Sequence, residues 1–451
     1  MSQSVFELDK QTLDDLVIFQ NGIDNNSIFN LFNNTITIGG WERLEQIFKF
    51  PLTDAEQVNQ RIAALTYLQR FNVIINIDKS TCDFIEFYLK QTSKPKALFK
   101  PIALLERLIY AFNSNNSYYV IQQGVTHTLK LIKVLDEFTK QNDYNLLPSV
   151  LQNFYTTICE ILDGDIFIGI REISTKVKLS ALDIAHADTV FRGSGYDELK
   201  TLLSVVYDLD VFTSVASTGA RLKFNLPVIS KTAGPSLVIN GLFHPFINNP
   251  VCNDIEFDTN KNICFVTGAN MAGKSTFLKS IGIAVFLSQL GFPVPAAYLE
   301  TSVFDGLITT INLSDNIQQG NSHFYAEVLR VKHVAAKINQ SQNMVVIFDE
   351  LFRGTNVKDA YDASLSIIAA FAKLRKSFFV ISTHIVEVAN ELKQIENVNF
   401  KFMETTFDDG IPQYSYLLMD GITEERLGMW IVKNEGIVDI IEGIVSRERI
   451  D

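Results

Sequence analysis

The stretch VTGANMAGKST, Val266 to Thr276, decides how the rest of the chain is read. It fits the pattern G-x-x-x-x-G-K-[ST] through Gly268, Gly273, Lys274 and Ser275. Small residues let backbone N–H groups close around phosphate oxygens, and Lys274 adds a point charge at the β/γ end of a nucleotide. Ser275 offers a hydroxyl to Mg²⁺, while a helix starting there aims its positive dipole end at the anion. Asn262 to Val266 (NICFV) predicts a buried strand running in, and Thr276 to Leu290 (TFLKSIGIAVFLSQL) a long apolar helix running out. Strand, loop and helix come in the order that phosphate binding needs.

Two later stretches complete the pattern. Met344 to Glu350 (MVVIFDE) is an apolar strand ending in two acids, which such a strand delivers to the sheet edge where phosphates sit. Asp349 is the candidate Mg²⁺ ligand, usually through water, and Glu350 the residue that orients or deprotonates an attacking water. Ser377 to His384 (SFFVISTH) predicts a further strand with His384 just past its end, placed to donate to a γ-phosphate and sense its loss. The paired acids and the later histidine point to an ABC-type ATPase rather than a small GTPase or a kinase. Those ATPases act as dimers, each half lending a signature loop to the other's nucleotide.

With 451 residues the chain has room for two or three domains and a sizeable core. A net charge of −12 gives no basic footprint for nucleic acid. Cys82, Cys159, Cys252 and Cys264 are scattered with no C-x-x-C spacing, which argues against a zinc site or a disulfide framework. That usage, with no signal-peptide pattern at the start, predicts a cytoplasmic protein. The most apolar run, Ile281 to Val294, is shorter than the roughly 20 residues a membrane span needs and reads as a core helix.

Along the chain, Thr53 or Asp54 is a candidate cap for the helix that follows, DAEQVNQRIAALTYLQRF. Leu131, Val134, Leu135 and Phe138 form one apolar stripe at helical spacing, and Leu199, Leu202, Leu203 and Val206 another. Lys90, Lys94, Lys96, Lys100 and Arg107 make a local basic run able to meet phosphates. The register changes near Lys231 to Ser236, where Gly234-Pro235 marks a linker. Beyond it LVING, NICFV, MVVIFD and SFFVIST alternate with helical segments, the mark of an α/β domain with a largely parallel sheet. QYSYLLMDG repeats the alternation weakly near the end.

These motifs resemble one family closely, the MutS proteins of DNA mismatch repair. The family loop T-G-P-N-M-x-G-K-S-T is matched by T-G-A-N-M-A-G-K-S-T, and its D-E-x-x-R-G-T-[ST] by Asp349, Glu350, Arg353, Gly354, Thr355 and Asn356. Its A-T-H is matched by Ser382, Thr383 and His384, and its signature G-x-S-T-F by Gly320 to Phe324, which makes Ser322 the residue offered in trans. LFHPFINNPVCNDIEF resembles the stretch entering the family's ATPase domain, with Phe246 as a candidate adenine stacker. Upstream, LDKQTLDDLVIF, NNTITIGGWERLEQIFKFPLTDAEQVNQRI and DELKTLLSVVYDLDVFTSVA resemble the helical core, or lever, domain.

The resemblance implies an all-α helical core (lever) domain over 1–232 and an α/β ABC-type P-loop ATPase domain over 233–451. Gly268, Ala269, Asn270, Met271, Ala272, Gly273, Lys274, Ser275 and Thr276 would bind ATP, with Ser275 and Asp349 serving Mg²⁺ and Glu350 and His384 the chemistry. It implies a homodimer hydrolysing ATP at composite sites, coupled to DNA binding in repair or recombination, without a membrane partner and with other repair proteins as further partners. The departures are also expectations: core and ATPase domains only, no mismatch-reading or connector domain, and a stretch near 140–195 too short for a full DNA clamp. No appended nuclease is expected, and Ala269 and His323 stand where the family has Pro and Thr. The reading of another class is an ATP-gated module for protein partners with no DNA role, kept open by the acidic balance.

Overall fold

A computed structural model describes residues 5–19, 26–71, 78–91, 116–231, 234–269, 271–311, 323–383, 385–408, 411–423, 430, 434–438 and 440–442. A short strand β1 (Glu7–Leu8) and helix α1 (Lys10–Asp15) open it. Then come α2 (Ile28–Phe32), α3 (Ile38–Lys49), α4 (Ala55–Phe71), α5 (Lys79–Leu89), α6 (Asn116–Gln141), α7 (Ser149–Leu162), α8 (Ile168–Ser174), α9 (Ala181–Thr189) and α10 (Tyr196–Leu222). Their starts follow from local chemistry. Asp54 caps α4, its carboxylate accepting from the N–H groups of Glu56 at 2.8 Å and Gln57 at 3.0 Å. At α3 the cap is Thr37, which is itself held by buried Asp210 of α10 through its N–H at 2.8 Å and its hydroxyl at 2.7 Å. Gly39 lets α3 lie directly on α10, since a Cβ there would stand 2.4 Å from the Tyr207 ring.

The apolar stripes read from the sequence are core. Leu131, Leu135, Phe138, Leu199, Leu202, Leu203 and Val206 are buried and Val134 half-buried. Residues 149–189 fold as α7, α8 and α9, with α6 packed against all three and α7 also against α10. Of the basic run only Lys90 lies among the described residues, and its ammonium sits 3.8 Å from Glu86 one turn away.

The second half alternates strand and helix: β2 (Val228–Ile229), β3 (Leu237–Leu242), β4 (Asn253–Phe257), β5 (Ile263–Thr267), α11 (Lys274–Gln289), β6 (Tyr298–Thr301), β7 (Gly306–Thr310) and α12 (His323–Gln340). It continues with β8 (Met344–Phe348), α13 (Val357–Phe371), β9 (Phe378–Ser382), α14 (Val386–Leu392), β10 (Val398–Asp408) and β11 (Ile411–Asp420). The larger sheet runs β1-β7-β8-β9-β5-β10-β11, parallel except where β10 meets β11. A smaller sheet, β2-β6-β3-β4, lies beside it. Continuous apolar runs in β5, β8 and β9 follow from burial on both faces. Cys264, Val266, Val345, Ile347, Phe378 and Val380 enter the core shared with the helices, whereas Ile263, Phe265, Val346, Phe348, Phe379 and Ile381 enter a second core on the other face.

That shared core joins the two halves. Phe48 of α3 meets Phe286 of α11 at 5.7 Å and Phe292 at 5.8 Å between ring centroids. Residues 7–15, read from the sequence with the helical half, pair and bond with the larger sheet. Glu7 and Leu8 pair with Gly306 and Leu307, and buried Asp15 accepts from the Thr309 hydroxyl and the Ile311 N–H, both at 2.8 Å. The run Ile281 to Leu290 is buried inside α11 and the turn after it, and no helix among the described residues is long and apolar enough to cross a membrane.

Candidate functional site

Parallel register brings three strand ends to one edge of the larger sheet. Val266 is paired with Ser382 and Ile381 with Phe348, so the residues following β5, β8 and β9 emerge side by side. This is the edge where open α/β sheets bind ligands.

From β5 the chain turns through Gly268 (φ 142°), Met271 (φ 72°) and Gly273 (φ 99°) into α11. Gly273 is the N-cap of α11, and no side chain caps that end, so its first N–H groups keep their donor capacity. Lys274 is buried and folds back over the turn, donating to the carbonyl oxygens of Gly268 at 2.8 Å and Ala269 at 3.0 Å. Burial pushes its pKa down, while the charges of Glu350 and Asp349 act to hold it up. A desolvated ammonium on carbonyls is poised for an anion. Ala272 is buried, Gly268, Ala269, Gly273 and Thr276 are half-buried, and Met271 and Ser275 are exposed.

Asp349 and Glu350 leave β8 around a single hydroxyl. Ser382 donates from Oγ to Asp349 Oδ1 and accepts from the Glu350 N–H at 3.0 Å. The Asp349 N–H is spent on the Thr310 carbonyl at 2.9 Å. Glu350 then takes φ 56° and Phe352 φ 59°, both left-handed, a conformation that non-glycine residues hold only where the surroundings impose it. Arg353 reaches back, with its guanidinium 3.5 Å from Glu350 Oε2. Glu350 and Lys274 thus lie on adjoining sheet-edge loops. Asn270, Ser322 and His384 lie outside the described residues.

A cavity of about 390 Å³ opens beside the loop. Its walls include Phe243, His244, Ile247, Met271, Gly273 and Tyr416. Phe246 packs half-buried against the core, its ring 5.9 Å from that of His244, and its neighbours rather than its own ring line the cavity. Burial, and secondarily Lys279, push the His244 imidazole down to about 4, so it is neutral near pH 7. Tyr416, which the sequence reading missed, comes from β11 with φ 57°. Asn253 fixes its backbone from both sides, donating to the Tyr416 carbonyl at 3.0 Å and accepting from the Leu418 N–H at 2.7 Å. Its ring faces the turn between β5 and α11 so closely that a Cβ on Gly273 would lie 3.1 Å from Cδ1. Alternation in QYSYLLMDG gave a strand, but nothing local told which tyrosine would reach the loop.

The family model described as MutS domain V matches residues 264–447, which take in the loop, the acid pair and the hairpin carrying Tyr416. Among curated proteins, the DNA mismatch repair protein MutS of Petrotoga mobilis is 28% identical over 59% of this chain and 33% of its own length. That of Carboxydothermus hydrogenoformans is 30% identical over 53% of this chain and 29% of its own. The Ehrlichia ruminantium protein of the same name is 25% identical over 75% of this chain and 40% of its own. The chain therefore spans about a third of the length of the curated relatives it matches. The domain V match coincides with the sheet edge that carries the site, and the relatives reach into the helical half, so the chain is similar to MutS proteins through both.

Proposed function

We propose that this chain binds ATP with Mg²⁺ and hydrolyses it at composite sites of a homodimer, through an ABC-type P-loop ATPase domain preceded by an all-α lever domain. The observation that carries the reading is the meeting of a buried, carbonyl-bound Lys274 with an acid pair organised by one serine at the same sheet edge. Backbone N–H groups from Gly268 to Thr276 would cradle the phosphates, and Lys274 would give its charge to the β/γ end. Tyr416, with Phe243 and His244 opposite, would hold the base in the adjoining cavity. Among the described residues no group of three or more His, Cys, Asp or Glu side chains could hold a metal. Mg²⁺, a cation bound through one or two carboxylates, water and phosphate oxygens, asks few ligands of the protein, and Asp349 can be one of them. Ser275 and Asp349 would hold it, and when bound it neutralises phosphate charge and polarises the terminal phosphoryl group. Glu350 would orient water and accept its proton, with His384 on the terminal phosphate.

The relatives are named DNA mismatch repair proteins. On that likeness we propose DNA as the partner whose binding the nucleotide cycle controls, in a cytoplasmic protein. Hydrolysis of radiolabelled ATP by the purified chain, with and without Mg²⁺, tests the reading. Lys274→Ala should lose nucleotide binding, whereas Glu350→Gln should keep it and slow turnover by roughly 10²–10⁴, the scale of a positioned base. Equal loss of binding in both variants would refute the division of roles.

A further inference from the structure

Glu327 is a charged group that the proposed reaction does not use. It lies one turn into α12, is 5% exposed, and forms no ion pair with Lys or Arg among the described residues. Its two oxygens instead accept from consecutive backbone groups beyond the acid pair: Arg353 N–H at 3.3 Å and Gly354 N–H at 3.2 Å. The His323 Nδ1 lies 3.3 Å from the first of these oxygens. A buried carboxylate is costly unless such donors offset its desolvation. The approach is close because Gly354 has no side chain; a Cβ there would stand 2.6 Å from both His323 Nδ1 and Phe324 N. Phe324 adds an edge-to-face contact with Phe352 at 5.7 Å between centroids.

The segment from Asp349 to Gly354 is thus tied at both ends. Ser382 holds the front at Glu350 N, and Glu327 holds the back at Arg353 and Gly354. Between the ties lie the two left-handed residues, Glu350 and Phe352, and the guanidinium that returns to the Glu350 carboxylate. A left-handed Glu350 persists only while the surrounding contacts over-determine it. Releasing the back tie frees both the backbone that aims Glu350 and the arginine that faces it.

We propose that Glu327 is a positioning residue for Glu350, holding the strained segment in the conformation that aims the Glu350 carboxylate. This rests on the reading of Glu350 as the group that activates water. Both oxygens are needed, since a glutamine offers one acceptor and turns an NH₂ toward the second N–H. The carboxylate acts from the helix that follows the expected signature stretch, so it ties that helix to the chain's own acid pair.

The test uses the whole 451-residue chain. Glu327→Gln should lower kcat about tenfold with KM for ATP within about twofold, the pattern of a lost transition-state contribution. Glu327→Asp, which keeps both acceptors, should recover part of the rate. In a Glu350→Gln background, Glu327→Gln should cause no further loss, because its route to the reaction is already cut. Without nucleotide, hydrogen exchange in a peptide spanning 349–354 should quicken in Glu327→Gln while β9 stays protected. Unchanged kcat in Glu327→Gln, equal loss in Asp and Gln variants with a lowered melting temperature, or an additive loss in the Glu350→Gln background would each overturn the proposal. An inert wild-type chain would instead remove the reading of Glu350, and this inference with it.

Discussion

On the proposed placement of ATP, removing the Tyr416 ring should separate recognition of the base from recognition of the phosphates. The residue is 47% exposed, so Tyr416→Ala takes little from the core and should leave the melting temperature nearly unchanged. The backbone keeps its left-handed turn because Asn253, not the ring, pins it. Truncation of an aromatic platform costs about 1–3 kcal/mol per stacked base. A half-exposed ring offering one face belongs in the lower part of that range. We expect a loss of about 1–2 kcal/mol, or roughly 5- to 30-fold in the Kd for ATP. Tyr416→Phe keeps the stacking face and should bind within about twofold of wild type. Isothermal titration with ATP and with inorganic tripolyphosphate is the assay, since the second ligand reports only the loop. Tripolyphosphate should bind both proteins alike. An equal loss for both ligands, or no loss for ATP, would refute the placement of the base in this cavity.

Other expectations are as direct. If Ser322 acts across a dimer, Ser322→Arg and Lys274→Ala chains should each be nearly inactive alone, and partial hydrolysis should reappear on mixing once subunits exchange. Inactive homodimers with no recovery despite confirmed exchange would count against action in trans. His244 carries a folded-state pKa near 4, below its ordinary 6.5, so the unfolded chain binds more protons in between. Stability from this group is therefore intact above about pH 6.5 and declines as pH falls toward 4. Melting temperatures measured across that window should fall less steeply in His244→Gln than in wild type.

Much of the site was legible because its signals are local. Glycines at 268 and 273, the apolar run before them and the long helix after them lie within one stretch, and the acids follow directly on a strand buried on both faces. What escaped depends on partners far away in sequence. Strand β1 is two residues long and is defined only by pairing with Gly306 and Leu307. Strand β10, unread in the sequence, is built between β5 on one side and β11 on the other. Tyr416 owes its aim to Asn253. Glu327 reads as one more charge on an amphipathic helix, and only the arrival of Gly354 buries it.

The two residues of β1 also bear on how the molecule divides. They cover the first two residues of the outer edge of β7, and without them Gly306 and Leu307 would lose their strand partner and join an open edge, a template for pairing between chains. Asp15, a few residues on, would leave the buried Ile311 N–H and Thr309 hydroxyl behind. Severing the polypeptide at the linker near residue 233 would therefore not free an intact C-terminal half. It would yield a sheet whose β7 edge lies open, which a peptide carrying residues 5–19 should cover again.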